Sequence, residues 1–138
     1  MTTGIFAIGV DLGGQSVKLA VVDDSGAIHL RRQAPVDANR PEADIRRLIL
    51  DEIRAIRRGA DTQGCSPGRV GMVMPGYLDR DRTRMLFAAN LPTLSGSDFL
   101  ATIRAALDLP IVFDADSNAA AFAEYRFGAG RGVDRLLV

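Results

Sequence analysis

Ile5-Phe6-Ala7-Ile8-Gly9-Val10-Asp11-Leu12-Gly13-Gly14, followed directly by Gln15-Ser16-Val17-Lys18-Leu19-Ala20-Val21-Val22, carries two hydrophobic rhythms back to back. The first is a continuous apolar run, Ile5 to Val10, bounded by Gly4 and by Asp11-Leu12-Gly13-Gly14; it reads as a strand buried on both faces. The second begins at Ser16 and places Val17, Leu19 and Val21 at period two, a second strand. Asp23-Asp24-Ser25-Gly26 is a turn signal, and Ala27 to Arg32 alternates again. Three strands joined by short turns make an antiparallel meander. His29 falls on the face opposite Ile28 and Leu30, which places it in solvent.

Further along the chain the rhythm changes. After Pro35, Pro41 suits the first turn of a helix. Ile45, Leu48, Ile49, Ile53 and Ile56 then recur at helical spacing, and Gly59 reads as the stop. Arginines of this helix alternate with Glu42, Asp44, Asp51 and Glu52, an ion-paired solvated face rather than a basic patch. Arg69 to Met74 is a strand closed by Pro75-Gly76, and Tyr77 to Asn90 is an excursion with a short hairpin. A helix runs from Ser97 through Phe99, Ile103 and Leu107 and ends before Pro110. Ile111-Val112-Phe113 is a strand, Asp116-Ser117-Asn118 opens an Ala-rich helix that stops at Gly128, and Arg135 to Val138 begins another apolar strand. The expected fold is therefore α/β, in the order β-β-β-α-β-α-β-α, with five strands in one mixed sheet flanked by helices. The later strands run parallel to the first.

The chain's 138 residues suffice for one domain and are too few for two. A domain of this size buries about 70% of its unfolded surface and needs no disulfide or metal staple. With 47% apolar and 25% charged residues the composition is globular and excludes a disordered chain. Seventeen basic residues balance seventeen acidic ones, so no positive field for nucleic acid or anionic membrane is expected. A single cysteine, Cys65, makes no internal disulfide and no zinc cluster. No apolar run approaches the ~18 residues of a spanning helix. Met1-Thr2-Thr3-Gly4 lacks the basic flank of a signal peptide, so a cytoplasmic protein is expected. The chain ends in a strand at its most apolar point, and reads as the first half of something longer.

Three short constellations carry chemistry. Asp11-Leu12-Gly13-Gly14-Gln15-Ser16 joins two strands. Its glycines let the backbone turn sharply and bring N–H groups to a ligand, and an Asp there can hold hydrated Mg²⁺. A dinucleotide fingerprint would need a helix after the glycines, and a Walker loop would need Gly-Lys-Ser/Thr. What is left is a plain hairpin turn or a hairpin-type phosphate loop. In Asp114-Ala115-Asp116-Ser117-Asn118 a strand passes into a helix, at the sheet edge where open α/β sheets bind ligands. Either Asp116 or Ser117 merely caps the helix there, or Asp116 accepts a hydroxyl proton, kept ionised by the helix dipole. Finally, Met74-Pro75-Gly76 and Asn90-Leu91-Pro92 are turns at the same edge. Gly76 would admit a ligand to the backbone, and the Asn90 amide could both donate to and accept from sugar hydroxyls.

Taken in order, these pieces resemble the N-terminal domain of the ROK family (repressors, open reading frames and sugar kinases), within the actin/hexokinase/Hsp70 superfamily and its ribonuclease H-like fold. The resemblance is carried by Asp11-Leu12-Gly13-Gly14 through Asp23, Gly71 to Gly76, Ala89-Asn90-Leu91-Pro92, Asp116 to Ala121 with Glu124, and Phe127 to Gly132. It implies an ATP-dependent, glucokinase-like enzyme acting on a hexose or amino-hexose hydroxyl. Asp116 would be the general base and Gly76, Asn90 and Asp116 the sugar contacts. Gly13, Gly14, Gln15, Ser16 and Lys18 would face the nucleotide phosphates, and Asp11 would organise Mg²⁺ through water. Residues 1–138 would be the N-terminal sugar- and phosphate-binding domain. The adenosine pocket, a zinc-binding cysteine/histidine cluster and further sugar-binding acids would belong to a second domain beyond Val138. A homodimer is implied, through this domain or the second.

Departures from the family pattern bear on function. Ala115 stands where the family has an Asn that holds a sugar hydroxyl; loss of one buried polar contact costs about 1–3 kcal/mol of binding, or signals a different sugar. Gln15 replaces a Thr, with the Ser16 hydroxyl one place along. A sugar-sensing regulator or non-catalytic sugar-binding protein is the alternative. Repressors of this family carry a helix-turn-helix ahead of the first strand, whereas here Met1 precedes it by a few residues. Another superfamily member, such as an acyl-group kinase, is disfavoured by the Asn90 and Asp116 segments.

Overall fold

A computed structural model describes residues 4–138; Met1–Thr3, on which the reading against a signal peptide partly rests, lie outside the described residues. Strands β1 (Phe6–Leu12), β2 (Ser16–Asp23) and β3 (Ile28–Pro35) form the expected antiparallel meander. Helix α1 (Glu42–Thr62) leads to β4 (Pro67–Met74). A small hairpin, β5 (Tyr77–Leu78) with β6 (Met85–Phe87), precedes a short 3-10 turn at Pro92–Leu94 and helix α2 (Phe99–Ala106). Strand β7 (Ile111–Ala115) then passes directly into helix α3 (Asp116–Phe127). The main sheet has the order β3-β2-β1-β4-β7, with β4 parallel to β1 and β7 parallel to β4. The carboxyl ends of β1, β4 and β7 and the β1–β2 turn therefore share one edge.

Burial explains the layering. Ile8, Val10 and Leu12 of β1, Val17, Leu19 and Val21 of β2, Met72 and Met74 of β4 and Phe113 of β7 are all buried. They form one cluster with Ile45, Ile49, Ile53 and Ile56 of α1 and Phe99, Leu100 and Ile103 of α2. The opposite face is open, a groove of about 530 Å³ lined among others by Gly9, Asp11, Lys18, Ala20, Gly71 and Val73. Burial on both faces, expected for β1, is thus corrected. Its apolar run alternates between large residues facing the helices and the small Ala7 and Gly9, which are only half-buried. Helix α3 buries none of its side chains, and Phe122 and Tyr125 stand exposed.

Two other expectations are corrected. Gly59 does not stop α1, which continues to Thr62. Its bare Cα instead leaves room for Leu30, whose Cδ2 would lie 3.0 Å from an added Cβ. The chain leaves the helix through Gly64 at φ +74°, a left-handed conformation that favours glycine. Residues 135–138 form no strand, and Leu137 is almost fully exposed. An apolar run becomes a strand only beside a partner that completes its hydrogen bonds, and none of the described strands pairs with this one.

The ion-paired face of α1 is present, with Arg46 on Glu42, Arg47 on Asp44 and Arg54 on Asp51. His29 is exposed as expected, but it is not idle. Its Nε2 lies 2.7 Å from the Asp23 carboxylate and its Nδ1 4.0 Å from the sulfur of the buried Cys65.

Candidate functional site

The β1–β2 turn is closed by a hydrogen bond from the Gly13 N–H to the Ser16 carbonyl (2.9 Å), and the Gln15 carbonyl accepts from the Val36 N–H (2.9 Å). Neither Gly13 nor Gly14 has a left-handed φ. What Gly14 supplies is space: a Cβ there would sit 2.6 Å from the Asn90 carbonyl oxygen and 3.2 Å from the Asn90 Cβ. Contact this close joins the glycine turn to the Asn90 loop.

That loop is pinned from beneath. Ala88 and Leu91 are buried, the Ala88 N–H donates to Ser95 Oγ (2.9 Å), and the Leu91 N–H donates to the Ala88 carbonyl (3.2 Å). Asn90 is left exposed between these anchors. Gly76, at φ +114°, closes the other side of the hairpin, and a Cβ there would overlap the Phe87 carbonyl oxygen. At the hairpin tip Asp79 Oδ1 accepts the N–H groups of Thr83 (2.7 Å) and Arg84 (3.0 Å), and Oδ2 accepts the Thr83 hydroxyl (2.7 Å). These bonds, first that from Arg84, hold the Asp79 carboxyl below its ordinary range.

Asp116 is the first residue of α3, at the carboxyl end of β7. Ala115 occupies the N-cap position and makes no side-chain cap, so neither Asp116 nor Ser117 is the capping residue. The exposed Asp116 carboxylate accepts the Ser117 N–H (2.7 Å) and stands where the helix dipole favours negative charge. Asp114 Oδ1 accepts the Ala115 N–H (2.8 Å) and the Asn118 amide (2.9 Å). Partial burial pushes the Asp114 carboxyl up, but those bonds and the nearby Arg82 guanidinium outweigh it and hold it low.

Two cavities meet at this edge. One of about 530 Å³ is lined by Gly13, Gly14, Gln15, Ser16 and Asn90. Its neighbour, of about 320 Å³, is lined by Gly76, Tyr77, Phe87, Asn90, Asp116 and Ser117 among others. Asn90 belongs to both. Asp11 and Lys18 line neither; they face each other across the β1–β2 ladder on the open side of the sheet. Period-two alternation dictates this, because inward Leu12 and Val17 send their neighbours outward. Tyr77 and Phe87, absent from the sequence-derived set, add exposed aromatic surface to the Asp116 cavity. Their only signal was an aromatic at each end of the hairpin. Among the described residues no three His, Cys, Asp or Glu side chains cluster as a metal site. A lone carboxylate such as Asp11 suits Mg²⁺, which takes one or two carboxylates and completes its shell with water and phosphate oxygens.

The model of the ROK family matches residues 7–138. A glucokinase of Streptomyces coelicolor is 36% identical over 125 residues, 91% of this chain and 37% of that protein. An N-acetyl-D-glucosamine kinase of Shigella flexneri is 29% identical over 116 residues, 84% of this chain and 36% of that protein. Among solved structures, a ROK family glucokinase from Streptomyces griseus in complex with glucose and AMPPNP superposes with a TM-score of 0.75 at 36% identity, covering 94% of this chain and 39% of that one. The chain thus spans well under half the length of these three relatives.

Proposed function

This chain belongs to the ROK family, and we propose that it is the N-terminal, sugar- and phosphate-binding domain of a cytoplasmic ATP-dependent kinase that phosphorylates a hydroxyl of a hexose or amino-hexose. The observation that carries this reading is the position of Asn90, which lines both the glycine-turn cavity and the Asp116 cavity. A phosphoryl donor at Gly13–Ser16 and a hydroxyl at Asp116 would then meet across one side chain. The relatives named glucokinase and N-acetyl-D-glucosamine kinase support the substrate class, and the AMPPNP complex of the Streptomyces griseus enzyme supports ATP as donor.

On this reading the sugar lies against Gly76, Asn90 and Asp116. The Asn90 amide both donates to and accepts from ring hydroxyls. Asp116 accepts the proton of the attacking hydroxyl as that oxygen bonds to the γ-phosphorus and ADP leaves. Transfer of this kind depends mostly on positioning and charge stabilisation, so an ordinary carboxylate suffices. The backbone of the Gly13–Ser16 turn, with the Gln15 and Ser16 side chains, would face the phosphates, whereas Lys18 stands on the open sheet face outside that cavity. Asp11 would hold Mg²⁺ through water; when bound, the ion neutralises phosphate charge. A second domain would supply the adenosine pocket.

ATP consumption by the full-length protein across a panel of hexoses and amino-hexoses tests this. Turnover with at least one sugar, cut by about 10²–10⁴-fold in Asp116→Asn, is the expected result. Turnover indifferent to Asp116→Asn removes the base. The alternative, a sugar-sensing regulator, is favoured by Ala115 in place of the usual Asn; saturable sugar binding without turnover would select it.

A further inference from the structure

Two residues before Asp116, the Asp114 carboxylate is gripped from two elements. Oδ1 takes the Asn118 amide from the first turn of α3 (2.9 Å), and Oδ2 lies 3.3 Å from Nη1 of Arg82. Arg82 belongs to the tip of the β5–β6 hairpin, far away in sequence. The same Nη1 donates to the Phe113 carbonyl at 2.7 Å. Arg82 is also the one non-glycine residue among the described residues with a positive φ, +55°. A side chain in that region is strained, and the strain persists only where the surroundings determine it. Here they do. The Arg82 carbonyl accepts from Arg104 of α2 (3.0 Å), and the Arg104 guanidinium stacks 5.1 Å from the Phe113 ring.

The base of this hairpin, Gly76-Tyr77 and Phe87 to Asn90, is one wall of the Asp116 cavity, and Asp116-Ser117 is the other. We propose that Arg82, Asp114 and Asn118 form a positioning brace that ties the β5–β6 hairpin to the β7–α3 turn and so sets the spacing between Asp116 and the Gly76–Asn90 wall. In the kinase reading, on which this inference rests, that spacing decides which sugar hydroxyl reaches Asp116. Both Arg82 and Asp114 are partly exposed, and ion pairs of that kind contribute little to global stability. The brace therefore acts on geometry more than on folding. An error near 1 Å in such geometry costs up to ~10²-fold in rate.

The test has two arms. In the full-length protein, Arg82→Ala and Asp114→Asn are expected to raise the sugar KM and lower kcat by about tenfold together, with the ATP KM and Tm unchanged. Arg82→Lys, which keeps a donor for the Phe113 carbonyl, recovers part of the loss; the double variant is no worse than the worse single; and Arg80→Ala is silent. Sugar parameters within twofold of wild type, or an ATP KM that rises equally, overturn the brace. The second arm needs no activity. In this 138-residue chain, Arg82→Ala is expected to speed amide hydrogen exchange at Ala119 and Ala120, the first α3 amides with intrahelical acceptors, by about tenfold, leaving α1 unchanged. Unchanged exchange there overturns the brace, whereas a wild-type protein that phosphorylates no sugar overturns only the kinase reading.

Discussion

Gly14 shows most sharply how one side chain's absence organises the site. Adding a methyl group would press it against the Asn90 backbone at 2.6 Å, and backbone has no rotamer through which to retreat. Gly14→Ala is therefore expected to destabilise the fold by about 1–3 kcal/mol, read as a lower urea midpoint at constant m-value. It should also widen the junction between the two cavities. Asp116, Gly76 and Asn90 were legible one at a time as strand-end and turn residues, because local sequence sets such positions. Their placement at one sheet edge was expected too, from strand order and the family resemblance; the close approach of Gly14 to the Asn90 backbone was not. Asp11 and Lys18 were legible only in part: alternation sends both to the open face, away from the cavity that Gly13 and Gly14 line.

Hairpins are where the elements respond to pH. Asp23 closes the β2–β3 turn by accepting from the Ser25 hydroxyl (2.6 Å), His29 (2.7 Å) and the Ser25 and Ala27 N–H groups, and Asp79 does the same for β5–β6. Ser25 and then His29 hold the Asp23 carboxyl well below its ordinary range, and Asp79 is lowered too. Each is therefore protonated more readily in the unfolded chain than in the folded one. Their contribution is complete above the unfolded carboxylate range, about pH 4, and is lost as pH falls through the folded values. The urea midpoint should fall below about pH 4, less steeply in Asp79→Asn. At this scale the pattern foretold nearly every element and the ion-paired face of α1. The errors were the stop of α1, which lies at Gly64 and not Gly59, the two-sided burial of β1, and the strand expected over residues 135–138, which is absent.

At the scale of the whole molecule, one face of the sheet is sealed by α1 and α2, while the other remains a groove and α3 stands with its aromatic residues exposed. A kinase encloses its substrates between two bodies to exclude water. The 138-residue chain alone is accordingly expected to phosphorylate no sugar, in a coupled ATP assay where the full-length protein turns over. Measurable turnover by the isolated chain would contradict a two-domain site. The sequence by itself determined the element order as far as α3, the antiparallel start, the parallel finish and the buried stripe of β2, since those follow from periodicity and turn chemistry within a few residues. Only the tertiary structure decided that Asn90 lines both cavities at the edge where residues near 14, 76, 90 and 116 were expected to meet, that Gly14 abuts the Asn90 backbone, and that Arg82 reaches Asp114. Those relations depend on sheet register and hairpin docking between segments far apart in the chain, which no local pattern encodes.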